Sequence, residues 1–142
     1  MTKPNFLPRL PDWPARLSVL VAQAHALPFA WGLHDCCLWA ADAVVAVVGV
    51  DPAADIRGQY TTAQGAHRAL HAHGGLLGAG RRTGQRLALP TLARDGDVGL
   101  VHDGRRPMLG VRVAAVWLCA ATTGLRALPC SAARMAWGVG HA

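Results

Sequence analysis

The chain has 142 residues, of which 52% are hydrophobic and 15% charged, and it carries a net charge of +6. That length fits one domain around one core, and so apolar a composition excludes intrinsic disorder. Lys3 is the only lysine, so the positive charge lies on arginines, densest at Arg81, Arg82 and Arg86 and at Arg105 and Arg106. Such a surface favours anionic neighbours, although an arginine-rich coding bias with a solvated basic surface explains it more simply.

In chain order, residues 1–11 hold Pro4, Pro8 and Pro11, which predicts an extended arm free to lie on a neighbour. The arm has no continuous apolar run and does not read as a secretory leader. Asp12 is a good cap and Pro14 suits a first turn, which predicts a helix to about Ala26 with Leu17, Leu20, Val21 and Ala24 facing the core. Pro28 stops it. Asp35 then caps a second helix over 36–48, closed by Gly49. Apart from Asp42 its side chains are apolar or cysteine, so it is covered on most sides. It is too short for the roughly 20 apolar residues of a membrane span, and none is expected.

Thr61 or Thr62 starts a third helix that carries His67, His71 and His73 and ends at Gly74 and Gly75. The stretch LLGAGRRTGQRLALP reads as a helical turn followed by a loop; its glycines lack the lysine and spacing of a P-loop. From Asp95 onward, short apolar runs broken by Asp103-Gly104 and Thr123-Gly124 predict an antiparallel sheet of four or five strands. Helices first and strands last give an α+β fold, with one domain over 12–142.

The four cysteines stand at 36, 37, 119 and 130, with no two-residue gap of the kind that holds zinc or iron–sulfur clusters. A Cys119–Cys130 disulfide is conceivable, but nothing in the sequence implies an oxidising compartment. We read the cysteines as reduced and the protein as made in a cytoplasm, with no cofactor and no metal. His67 and His71 have the i, i+4 spacing of a ligand pair but no carboxylate or cysteine nearby, so a surface helix is the plainer reading. The five tryptophans read as core bulk rather than as a sugar-stacking groove.

Cys36 is the residue with chemical promise. It falls at the first helical position after the Asp35 cap, where unpaired N–H groups and the helix dipole favour a thiolate. It shares a helix face with Trp39, Ala40, Ala43 and Val47, whereas Cys37 points about 100° away with Ala41, Val44 and Val48. Cys37 is then the core cysteine and Cys36 the one at a groove. His34 precedes the pair and reads as a residue that orients the turn.

The Asp-Cys helix start followed by DGDVGLVHDGRRPMLGVRV resembles the layout of NlpC-type cell-wall peptidases, a compact papain-like family. The blocks DWPARL, PFAWGLHDCCLWAADAV, GVDPAADIRGQY, GDVGLV and AWGV together resemble a set of small tailed-phage proteins encoded among tail-tip genes, over nearly the whole chain. The peptidase resemblance covers 31–48 and 95–114. It implies an NlpC-like fold in which Asp35 and Cys36 match the nucleophile start. Gly96 and Asp97 match the Gly-Asp before the sheet, and Gly110 matches the glycine of the histidine strand. The position of the family's histidine holds Met108 or Leu109.

These resemblances imply a structural component of a tail tip or baseplate. It would be made in the host cytoplasm, carried in the virion and surrounded by other tail proteins. The alternative is an active cysteine hydrolase on peptidoglycan during phage entry, with Cys36 as nucleophile and His102 as an unconventional base. A second alternative is a tail-assembly factor or basic nucleic-acid-binding module. Nucleic acid is not expected, since no interleaved surface aromatics or reading motif accompany the arginines.

Overall fold

The computed structural model describes residues 7–141. Within them lie four α-helices: α1 (Trp13–Ala26), α2 (Cys36–Val48), α3 (Ala63–His71) and α4 (Gly75–Arg81). The strands are β1 (Gln85–Arg86), β2 (Val98–His102), β3 (Pro107–Val113), β4 (Val116–Ala121), β5 (Gly124–Pro129) and β6 (Ala133–Gly138). They form one antiparallel sheet in the order β1-β6-β2-β3-β4-β5. The α+β class therefore holds, and the expected four or five strands become six. The additional strand is β1, two residues inside the stretch read as a loop, where Gln85 pairs Gly138 and Arg86 pairs Trp137. A pair so short has no alternation to detect. The same stretch also begins with the seven-residue helix α4 rather than a single turn.

Local chemistry explains α2. The Asp35 carboxylate accepts from the Leu38 amide at 3.0 Å, and Gly49 ends the helix in the left-handed region at φ 80°. Between these ends Leu38, Trp39, Ala40, Ala43, Val44 and Val47 are fully buried. One side packs with Val98, Leu109 and Trp137 of the sheet and with Val139 just past β6. Another joins Leu17 and Ala24 of α1 to Val111 and Leu118. A third meets Ala53 and Ile56 of the connector. The helix is a shaft clasped between α1, the connector and the sheet, which explains its unbroken apolar sequence.

Trp39, Trp117 and Trp137 are fully buried, so the reading of these three as core bulk stands. Trp39 Nε1 donates to the Leu118 carbonyl at 2.8 Å. The Trp137 ring lies against Gly80, where an added Cβ would come within 2.3 Å of it. No helix among the described residues is long and apolar enough to cross a membrane.

Residues 1–6 of the expected arm lie outside the described residues. The part that follows is tied to its own domain: Arg9 N donates to the His141 carbonyl and Leu10 N to that of Val47.

The β2–β3 turn is held by Asp103, whose Oδ1 accepts from the amides of Arg105 (2.8 Å) and Arg106 (3.0 Å) while Oδ2 accepts from Arg126 Nη1 (3.0 Å). These donors, the Arg106 and Arg105 amides foremost, hold its carboxyl pKa down to about 2. A depressed carboxyl contributes stability that is complete above its unfolded pKa of about 4 and is lost as pH falls toward 2. The thermal midpoint of Asp103→Asn should therefore depend less on pH between about 4 and 2 than that of the wild type; equal slopes would count against this assignment.

Candidate functional site

The entry to α2 is built from the chain just before it. Ala30 and His34 exchange backbone hydrogen bonds of 3.0 and 2.8 Å, which closes a tight loop. Gly32 turns that loop at φ 82°, and a Cβ there would lie 2.0 Å from the Tyr60 carbonyl oxygen, so only glycine fits. Asp35 is buried and fully engaged. Besides the Leu38 amide it accepts from the Gly32 amide at 3.0 Å and from the Tyr60 hydroxyl at 2.6 Å. Burial first, and this hydrogen bond second, push the Tyr60 phenol well above its ordinary pKa. His34 is buried with its ring edge-on to Trp39, centroids 6.3 Å apart.

Of the two adjacent cysteines, Cys37 is buried and Cys36 half-buried, as the helical phase predicts. Their sulfurs are 4.0 Å apart. The Cys36 thiol is shifted below its ordinary pKa, chiefly because Cys37 hydrogen-bonds its sulfur, aided by the Leu109 amide and the charge of Arg106. Burial and the Asp35 carboxylate oppose that shift. Cys37, as the partner, is pushed well above its ordinary value by the same hydrogen bond and by burial. Burial and the proximity of Cys36 push Cys119 up to about 12. One thiol of the group is thus disposed to ionise, and the others are held protonated.

Cys36 lines a cavity of about 210 Å³ whose walls include Phe29, Trp31, Leu70 and Met108. Two exposed residues that can carry positive charge, His67 of α3 and Arg106 of the β2–β3 turn, stand on its rim. Phe29 and Trp31 meet edge to face at 4.7 Å. Among the four cysteines, Cys36 should be alkylated first by iodoacetamide at neutral pH, with a rate midpoint shifted down from that of an ordinary thiol. Peptide mapping against time would show this, and faster labelling of the half-buried Cys130 would contradict it.

The other residues singled out from sequence are distributed differently. At the position where a histidine is expected, Met108 is buried among Val101, Trp117, Cys119, Leu128 and Ala136, and Cys36 packs against this cluster. Leu109 lies instead in the core with Cys37 and Val44. His102 is not among the residues that line the Cys36 cavity. Val101 takes the buried position at that end of β2, and His102, one residue on, accepts at Nδ1 from the Gly104 amide at 3.0 Å. The imidazole that shares the cavity with Cys36 is that of His67. Sequence reasoning had no means to pair them, since nothing local links α3 to the start of α2.

Gly96 and Asp97 form a structural clamp. Asp97 is fully buried, with Oδ1 accepting from Arg9 Nη2 and the Val139 amide, both at 2.9 Å, and Oδ2 from the Arg94 amide at 2.8 Å. Gly96 is left-handed at φ 89°, and a Cβ there would lie 3.0 Å from Val47. Gly110 is buried where a Cβ would lie 3.0 Å from the Cys119 sulfur, so its smallness lets β3 pass that side chain. All four cysteines are free thiols. Cys130 donates to the Ala115 carbonyl rather than pairing with Cys119. Among the described residues no three histidine, cysteine or acidic side chains converge in a metal-binding group.

A family model described as a domain of unknown function, DUF6950, matches residues 8–139. Among curated proteins no match is found. The chain belongs to the DUF6950 family.

Proposed function

We propose that this member of the DUF6950 family is a structural subunit of a tailed-phage tail tip or baseplate, built on an NlpC-like, papain-related fold with an incomplete catalytic set. Met108 carries the reading: a thioether lies in the cluster against Cys36 where the NlpC resemblance places an imidazole. A thioether neither takes nor gives a proton at neutral pH, and amide cleavage requires a donor for the leaving amine. Losing such a partner lowers turnover by several powers of ten. The helix that begins Asp35-Cys36 and packs on an antiparallel sheet supports the fold relationship. The exposed Arg81, Arg86, Arg105 and Arg106 support a role in contact with neighbouring subunits.

Purified phage particles should contain the chain at a fixed copy number in the tail-tip fraction. The isolated protein should release no stem peptides from peptidoglycan. Absence from particles, or release that Cys36→Ala abolishes, would overturn the reading. The competing reading, a cysteine hydrolase on peptidoglycan, is favoured by one observation, the cavity that Cys36 shares with His67. It requires that His67→Ala and Cys36→Ala each abolish release.

A further inference from the structure

We infer that the cavity at the start of α2 accommodates a short acyl chain, and that Cys36 acquires this chain as a thioester from a small anionic acyl thioester. The cavity volume of about 210 Å³ corresponds to about seven heavy atoms at a liquid share of ~30 Å³ each. A six-carbon acyl group with its carbonyl oxygen has that size. The walls suit it: Phe29, Trp31, Leu70, Leu76 and Met108 are apolar, and no acidic side chain lines the space. The exposed Arg106 guanidinium and the His67 imidazole at the mouth suit a donor that carries phosphate or carboxylate on its thiol portion.

The chemistry that is poor for amides is adequate for thioesters. The Cys36 thiolate attacks the donor carbonyl and the new C–S bond forms. The donor's own C–S bond breaks, and its sulfur leaves as a thiolate that solvent protonates. No general acid is needed, because a thiolate is a competent leaving group at neutral pH, unlike an amine. Hydrolysis of the protein thioester needs an activated water; Met108 offers no base, and the imidazole on the cavity is that of His67 at its rim. Cys37 and Cys119 do not compete, since both are buried and held protonated. The inference rests on the cavity and its thiol, and it is independent of the tail-tip reading.

The test is to incubate the full chain with hexanoyl-coenzyme A and follow the intact mass. One hexanoyl group per chain is expected, mapped to Cys36, removed by neutral hydroxylamine and absent in Cys36→Ala. Ala63 is an exposed residue on the cavity wall, so Ala63→Phe should leave the fold intact while slowing acylation at least tenfold. Arg106→Glu removes a charge that favours the Cys36 thiolate, so it should slow transfer from both donors, but from hexanoyl-coenzyme A more than from the uncharged hexanoyl thioester of N-acetylcysteamine. No adduct, an adduct mainly at Cys130, or an Ala63→Phe rate equal to wild type would overturn the inference. Such failure leaves the tail-tip reading to its own test on particles.

Discussion

Replacing Asp97 with alanine should destabilise the folded chain by about 3 to 5 kcal/mol, the range for removing one partner of a buried ion pair. Arg9 and Asp97 have side chains only 5% and 0% exposed, and their atoms are 2.9 Å apart. Burial drives the Arg9 pKa down and Asp97 drives it back up, so without the carboxylate a poorly hydrated guanidinium stays behind. The amides of Val139 and Arg94 lose their acceptor in the same step. Urea unfolding would show a lower midpoint at an unchanged slope. Adding Arg9→Met to Asp97→Ala should recover part of the loss, because the orphaned charge goes with the arginine. A single-variant cost below about 1 kcal/mol, the range of an exposed pair, would show that this clamp is peripheral.

Asp35→Ala should cost about 3 kcal/mol by a different route. The helix cap contributes about 1 kcal/mol. The Gly32 amide and the buried Tyr60 hydroxyl then each lack an acceptor, at about 1 kcal/mol or more apiece. Asp35→Asn keeps a carbonyl oxygen at the cap and should cost less. It also removes the negative charge that raises the Cys36 pKa, so the midpoint of Cys36 alkylation should move to lower pH. A midpoint that moves upward would mean that Asp35 assists the thiolate instead of opposing it. Together the two variants separate the carboxylate's structural role from its electrostatic one.

The candidate site was only half legible in the sequence. Asp35 as cap, Cys36 half-buried and Cys37 buried follow from rules that act within one helical turn, and the structure agrees. His102, read as an unconventional base on the adjacent strand, accepts from the Gly104 amide and does not line the Cys36 cavity. The i, i+4 spacing places His67 with His71 on a surface helix. Their rings do stack at 6.5 Å, yet His67 also reaches the rim of the cavity. The β3–β4 turn carries no local signal for a related reason. It is made by Ala114 and Ala115 at φ 48° and 66°, a left-handed pair with neither glycine nor asparagine to mark it.

The α+β class, the ends of α2, the start of α3 and the deeper burial of Cys37 than of Cys36 were legible in the residues alone, whereas Asp12 starts α1 without a side-chain cap and holds Arg16 instead. The legible features depend on caps, glycines and periodicity, whose physics is complete within a few residues. Long-range packing sets the rest: Asp97 clamps Arg9 across 88 positions, β1 closes against β6, and His67, Arg106 and Met108 share a cavity with Cys36. Those partners come from separate elements. The simultaneous burial of the whole core selects them, and no local preference encodes that outcome.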